Sequence, residues 1–332
     1  MDMKCAVVIL NWNGLQHLQH YLPRVVATTH DADIVVADNG STDGSVEWLR
    51  GENPQVRLVL LDKNYGFAGG YNRALAQLPE YDTFVLLNSD IEPADGWLAP
   101  LLKQLERNAD VAVVVPKILD DKCRNKFEYA GAAGGFIDML GYPFCRGRIL
   151  STIECDEGQY DTPCDVMWGS GAAFCCRAEL FRTMGGFSEE FFAHQEEIDL
   201  CWRVWLSGQR VVVEPRSKVY HLGGATLSAD SPFKTMLNHR NNLAMLFRCA
   251  PSWQRALVAV VRPLLDFAAA VSYLLQGKRA SAKAVWSAWR DFLRWHKRLS
   301  AERKAIRANV TREAPVYYGS IVARYIFGRK TF

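Results

Sequence analysis

Four apolar runs of strand length open the chain, and each stops at a cluster of Asn, Asp and Gly. Cys5-Ala6-Val7-Val8-Ile9-Leu10 ends at Asn11-Trp12-Asn13-Gly14, and Ile34-Val35-Val36-Ala37 ends at Asp38-Asn39-Gly40-Ser41-Thr42-Asp43-Gly44. The run from Val56 to Leu61 enters Asp62-Lys63-Asn64-Tyr65-Gly66-Phe67-Ala68-Gly69-Gly70, and Phe84-Val85-Leu86-Leu87 ends at Asn88-Ser89-Asp90. Helical patterns fill the intervals, to about Ala27 after the first run and over Tyr71 to Leu78 after the third. Apolar runs alternating with helices predict βαβ units and a mostly parallel sheet flanked by helices. The C-terminal ends of parallel strands share one edge, so all four polar clusters fall together where ligands collect in such sheets.

The pattern then changes. Val111 to Pro116 reads as another strand, and 120–165 as a long connection with short strands that partly covers the site. Its Asp156 and Asp161 either reach substrate or belong to a solvated loop. Trp168-Gly169-Ser170-Gly171-Ala172-Ala173-Phe174 leads into a strand, and Ala178 to Met184 into a short helix. Glu196, Glu197 and Asp199 crowd the first turn of the next helix. Val211 to Glu214 is a strand, and a further one ends at His221 before Gly223-Gly224.

Composition adds a globular character, with 49% hydrophobic and 23% charged residues in 332, enough for two modest domains or one large one. The net charge of +3 conceals an asymmetry: residues 248–332 hold 17 Lys+Arg against 4 Asp+Glu, so the remainder is acidic. Nine cysteines without a CxxC pair favour reduced thiols over a disulfide framework or zinc ribbon. No charged and apolar leader precedes the first strand, which sets the expectation of a cytoplasmic protein. Ala256 to Leu275 approaches membrane-spanning length but contains Arg262, Pro263 and Asp266, poorly tolerated in lipid. Arg255, Arg262, Asp266 and Gln276 share one helical face, with Leu257, Val261, Leu264, Leu265 and Val271 opposite. In Ala282 to Leu299, basic residues again recur opposite Val285, Trp286, Trp289 and Leu293. Such helices suit an anionic membrane surface; the alternative is packing on the catalytic body or on a second copy, as a homodimer. No nucleic-acid-binding module is present, so no nucleic-acid partner is expected.

Several residues carry candidate chemistry. A carboxylate at a strand tip, Asp90, suits a divalent cation that bridges phosphates, or else it caps the following turn. Gly66 to Gly70 either let backbone amides approach a diphosphate at the start of the Tyr71 helix or form a flexible loop. Asp38 is placed to accept from a base or ribose. Glu196, Glu197 and Asp199 either complement the helix dipole or tune one carboxylate upward to act as a base.

Together these motifs resemble the four donor-side motifs of family 2 glycosyltransferases, closest to the rhamnosyltransferase-like branch of bacterial surface-polysaccharide synthesis. The resemblance spans roughly residues 4–247. It implies a GT-A fold and inverting sugar transfer, with 1–117 as donor half and 118–247 as acceptor and catalytic half of one domain. Residues 248–332 are then a basic amphipathic helical extension. The nucleotide would lie against Asn11, Asp38, Asn39, Asp43, Asn64, Gly66, Phe67 and Asn72, with Asp90, Trp168 and Gly169 completing the donor site. The family's acid-x-acid motif falls on Asn88-Ser89-Asp90, which leaves Asp90 as the metal carboxylate, joined by His221 for Mn²⁺ or Mg²⁺. Glu197 is implied as general base, with Glu196 as the alternative and Asp199 orienting neighbouring groups. The implied donor is a UDP- or dTDP-sugar. The implied acceptor is polyprenyl-diphosphate-linked or a growing oligosaccharide, at the inner face of the plasma membrane. Two rivals are a sugar nucleotidyltransferase, disfavoured by the absence of a basic residue in Asn11-Trp12-Asn13-Gly14, and a catalytically silent membrane-associated scaffold.

Overall fold

The computed structural model describes residues 3–223 and 231–331; Gly224, the second glycine after His221, lies outside them. Strands β1 (Cys5–Asn11), β2 (Asp33–Asp38), β3 (Arg57–Leu60) and β4 (Thr83–Asn88) form a parallel group. They are joined by α1 (Leu15–Thr28), α2 (Ser45–Glu52) and α3 (Gly66–Ala76). The register sets Asn11 opposite Asp38 and Leu10 opposite Asn88, so the polar tips do share one edge. After β5 (Ile91–Pro93) and α4 (Leu98–Arg107) come β6 (Val111–Asp120) and, further on, β11 (Cys164–Asp165), β12 (Ala173–Arg177) and β13 (Arg210–His221). All nine belong to one sheet, ordered β11-β13-β6-β12-β4-β1-β2-β3 with β5 paired to β13. Strand β12 runs antiparallel between β4 and β6, and β6 pairs in parallel with β13. Along β1, Cys5, Val7 and Ile9 enter the core on one face, while Ala6 and Val8 enter the core on the other. That is the period-two alternation of a strand covered on both sides.

The stretch read as a long connection folds into a second, antiparallel sheet of β7 (Gly135–Ile137), β8 (Pro143–Cys145), β9 (Arg148–Ile149) and β10 (Thr152–Ile153). Asp156 and Asp161 both pair with the fully buried ammonium of Lys117, which fixes this sheet to β6. Both neutralise a buried charge, Asp156 from within the structure and Asp161 from its exposed surface.

One helix begins earlier than its pattern predicts. Helix α3 starts at Gly66, not Tyr71, because its glycines permit close approach. A Cβ on Gly66, whose φ is +72°, would fall 2.5 Å from the Phe192 ring, and one on Gly70 would meet Leu10 and Asn39. The first amides of the helix, Phe67 and Ala68, donate to the carbonyl of Phe192 at 2.8 and 3.2 Å. Those amides are therefore spent within the protein, and the glycine run is a packing device rather than an open diphosphate cradle.

Helices α5 (Ala178–Thr183), α6 (Glu196–Leu206) and α7 (Pro232–Cys249) complete the body, and α8 (Ser252–Leu275), α9 (Arg279–Arg307) and α10 (Ile321–Ile326) follow it. The C-terminal helices pack on the body. Leu299 sits in the same core as Trp202 and Leu246. The guanidinium groups of Arg303 and Arg307 donate to the carbonyls of Phe247, Cys249 and Ala250 that α7 leaves open at its end.

Candidate active site

At the tips of β4 and β13, His221 Nε2 lies 3.2 Å from Asp90 Oδ1, and the Asn88 amide lies 3.5 Å from the same nitrogen. Both members of the pair are buried, at 4% and 6% exposure. Glu128 faces the other ring nitrogen at 3.5 Å. Its second oxygen accepts from the amides of Ala130 and Gly131, at 2.6 and 3.1 Å, which fixes the carboxylate in place. Burial by itself depresses the His221 pKa, but the two carboxylates more than offset this and raise it to about 10. Burial likewise raises Asp90, yet its bond to His221 leaves the net shift downward. Glu128 was not foreseen: it stands in an aperiodic stretch, and only the fold brings it to His221.

The second half of the site is the start of α6. Phe192, His194 and Gln195 all adopt left-handed backbone conformations, with φ of +64°, +70° and +74°. Each such non-glycine residue costs about 1–3 kcal/mol and persists only where its surroundings enforce it. Here Asn241, fully buried, donates to the carbonyls of Phe191, Ala193 and His194. Asn242 donates to Gln195 Oε1, and Arg240 to the carbonyls of Glu190 and Phe191. The sequence Arg240-Asn241-Asn242 is thus a clamp on the loop that launches α6.

From that loop the three acids diverge. Burial pushes Glu197 up to about 7, against the lowering effect of the amides around the helix start. Its Oε2 is buried with no hydrogen-bond partner among the described residues. Burial, and then the charge of Glu197, holds Glu196 well above the usual carboxylate range. Asp199, placed among the catalytic acids by its sequence position, is corrected to a structural ion pair. Two residues on from Glu197, it points to the opposite side of the helix and lies between Arg203, at 2.9 Å, and Arg248, whose Nε is 2.7 Å away. Those guanidiniums overcome its burial and lower its pKa. Asp199→Asn leaves Arg203 without its counter-charge and the buried Arg248 with Glu302 alone, and is expected to cost about 3 kcal/mol of stability, measured by urea unfolding.

Segment 170–172 ties the two halves together. Ala172 O accepts from the Asn88 amide at 2.9 Å. A Cβ on Gly171 would lie 3.8 Å from Glu197 Cβ and 2.9 Å from the Phe67 ring, and one on Gly131 would meet Ser170. Cys145, raised chiefly by burial, also feels both Glu128 and Glu197.

The remaining predicted positions divide into two groups. Asn11 Nδ2 donates to Asp38 Oδ2 at 3.0 Å and to Ser41, while the Ser41 amide donates to Asp38 Oδ1. Asn11 Oδ1 is buried without a hydrogen-bond partner among the described residues. Asn39 donates to Asn64 and to Gly66 O, which joins the second and third clusters. Asp43 accepts from the amides of Leu15 and Ser45, tying α1 to α2. These residues do meet at the β1–β3 tips. Asn72 and Trp168 do not join them. Asn72 forms two hydrogen bonds with the backbone of Phe187. Trp168 lies in the core against Gly135, with its indole N–H on Phe136 O, and Gly169 packs on Val115. Both are corrected to structural positions, since neither has a polar group left to offer a ligand.

Known proteins give this geometry a context. Residues 6–154 match the family Glycosyl transferase family 2. The N-acetylglucosaminyl-diphospho-decaprenol L-rhamnosyltransferase of Mycobacterium tuberculosis is 27% identical over 268 residues, covering 75% of this chain and 86% of its own. The structure of S. aureus TarS 1–349 in complex with UDP-GlcNAc superposes with a TM-score of 0.58 at 16% identity, over 98% of this chain and 93% of that one. GalNAc-T7 with UDP, GalNAc and Mn²⁺ gives 0.61 at 17% identity, over 79% and 50%. The polar strand tips and Asp90 therefore lie in the segment that matches Glycosyl transferase family 2, His221 and the acidic start of α6 complete the site from beyond it within the same GT-A fold, and the chain is a glycosyltransferase.

Proposed function

We propose that this chain is a divalent-metal-dependent, inverting glycosyltransferase of the rhamnosyl- or hexosyltransferase kind. It moves a sugar from a UDP- or dTDP-sugar to a polyprenyl-diphosphate-linked or growing oligosaccharide in bacterial surface-polysaccharide synthesis. It works as a peripheral protein on the inner face of the plasma membrane. The observation that carries this reading is a histidine–carboxylate pair and, across segment 170–172, a glutamate with one unpartnered buried oxygen among the described residues and a raised pKa. The relative from Mycobacterium tuberculosis, named for a lipid-diphosphate acceptor and L-rhamnose, supports the substrate class.

The residues fit a divalent ion. Asp90 and His221 offer one hard oxygen and one imidazole nitrogen, and Glu128 behind the ring is the carboxylate that commonly orients a metal-binding histidine. Among the described residues no three such side chains form a complete cage, which suits an ion that takes its other ligands from diphosphate oxygens and water. When bound, it neutralises charge on the departing nucleotide diphosphate. The tips of β1 to β3 hold the nucleoside, with Asn11 Oδ1 left to accept one hydrogen bond. Glu197 takes the proton of the acceptor hydroxyl as that oxygen attacks the anomeric carbon from the face opposite the leaving group, which inverts the centre.

The test is a screen of nucleotide sugars for Mn²⁺-dependent thermal stabilisation, followed by product analysis with lipid-diphosphate acceptors. Stabilisation by one nucleotide sugar and a product of inverted configuration are expected; a retained configuration would contradict the single-base scheme. Glu128→Gln is expected to weaken Mn²⁺ binding to the nucleotide-loaded protein about tenfold, read by calorimetry.

A further inference from the structure

Helix α8 is built inside out. Its polar side chains face the protein: Gln254, Arg262 and Asp266 are at most 2% exposed. Gln254 donates to the carbonyls of Asp138 and Met139, and Arg262 to Leu140 O and Asn242 Oδ1. Asp266 accepts from the Trp289 indole and lies 3.3 Å from His239 and from Arg262. The side facing out carries Trp253, Val260, Leu264, Phe267, Leu274 and Leu275, all more than 40% exposed. No exposed residue between Ser252 and Leu275 is charged. At 1.5 Å per residue this apolar strip runs about 36 Å. Of the two stripes that periodicity predicts, Arg262 and Asp266 face inward and Leu264 and Val271 outward, so the side facing inward is the polar one, while Gln276 past the helix end is exposed.

Helix α9 continues the surface with cations. Arg279, Lys283, Trp286, Arg290, Leu293 and Lys297 are all exposed and recur at i, i+4, i+7, i+11, i+14 and i+18, one stripe with no acid in it. Trp286 and Leu293 thus stand among the Lys and Arg rather than opposite them. At the other end of α8, Trp253 stacks on Tyr318, in a segment that ends with the exposed Ile326, Phe327, Arg329 and Lys330.

We infer that the outer face of α8, with the cationic stripe of α9, is a docking surface for an anionic lipid bilayer, against which the helix lies flat. The apolar strip enters the acyl boundary, and the Lys and Arg that follow it meet anionic headgroups. The charge pattern favours lipid over a second copy, since pairing two such faces would bring two cationic stripes together. Although α8 is long and apolar enough to span a membrane, its hydrogen bonds to residues 138–140 and 242 hold it parallel to the protein surface. The inference rests on the proposed lipid-linked acceptor for its purpose and gives that site its orientation to the membrane.

The test is flotation of the full chain with vesicles of phosphatidylglycerol and phosphatidylethanolamine, with phosphatidylcholine vesicles as control. The wild type is expected to float with the anionic vesicles. L264E/F267E should reduce the bound fraction at least about tenfold, and L274S/L275S, at the unpacked helix end, by a smaller factor. R279Q/K283Q should weaken binding to the anionic vesicles only. Equal flotation of wild type and L264E/F267E would overturn the inference. A wild type that is dimeric without lipid, with a monomeric L264E/F267E and no vesicle binding, would assign the face to a second copy. Turnover does not enter the measurement: lost flotation with intact transfer to a short-chain, water-soluble acceptor would remove docking alone. Intact flotation without transfer to any acceptor would remove the enzymatic reading and leave docking standing.

Discussion

Replacing Glu197 by Gln is expected to lower kcat by about 10³-fold, because a positioned base contributes roughly 10²–10⁴. Donor affinity should stay nearly unchanged, since the carboxylate lies on the α6 side of segment 170–172 and not among the strand tips. The pH profile supplies the second readout. Burial holds the Glu197 pKa near 7, and the base works only when ionised, so kcat/KM should rise with pH through neutrality and level off above it. In Glu197→Gln that inflection should vanish along with the rate. Glu196→Gln is the control. Because burial and the charge of Glu197 hold Glu196 well above the usual carboxylate range, this near-isosteric change should leave most activity and keep the inflection. Full activity in Glu197→Gln, or its loss in Glu196→Gln with the inflection moved, would transfer the role to the neighbouring acid.

Asp90→Asn and His221→Ala should each weaken Mn²⁺-supported nucleotide binding on the order of 100-fold, with little effect on the weak binding measured in EDTA. The difference between the two conditions is the informative quantity, because a purely structural role would lower both alike. Proton release gives an independent check. Without metal, His221 between Asp90 and Glu128 has its pKa raised to about 10 and is an imidazolium at neutral pH. An ion that takes Nε2 must expel that proton. Metal affinity should therefore rise with pH across the neutral range, and calorimetry in buffers of different ionisation enthalpy should record close to one proton released. In His221→Ala the release should disappear. For folding the sign is opposite: the raised pKa stabilises the metal-free protein fully below the ordinary histidine value, and that contribution is lost as pH rises through about 10.

The donor-side half of the fold was legible because its signal is local. Continuous apolar runs ending in polar clusters specify parallel strands, and parallel strands must bring Asn11, Asp38 and Asp90 to one edge. The pairing of Asp90 with His221 was implied by the family resemblance alone, since no local pattern links two such distant positions. What escaped the sequence depends on distant partners. Glu128 carries no periodic or motif signal and reaches His221 only through the turn at 128–131. Asp199 looks like its neighbours until Arg248, about fifty residues on, settles its charge. The glycines after Asn64 suggest an open loop, but Phe192 fills the space they leave. Helix α8 is the clearest case. Its two stripes are plain in the sequence, while the choice of which one faces inward belongs to carbonyls at 138–140 and to Asn242 and His239.

Transfer as proposed requires two groups of side chains to face one bound donor from opposite sides. A crystal structure of the chain with Mn²⁺ and the nucleotide sugar selected by thermal stabilisation measures this directly. The prediction is a metal ligated by Asp90 and His221 Nε2, with the Glu197 carboxylate across the sugar from the diphosphate and open to the acceptor. A metal bound elsewhere, or a Glu197 carboxylate walled off from the anomeric carbon, would contradict it.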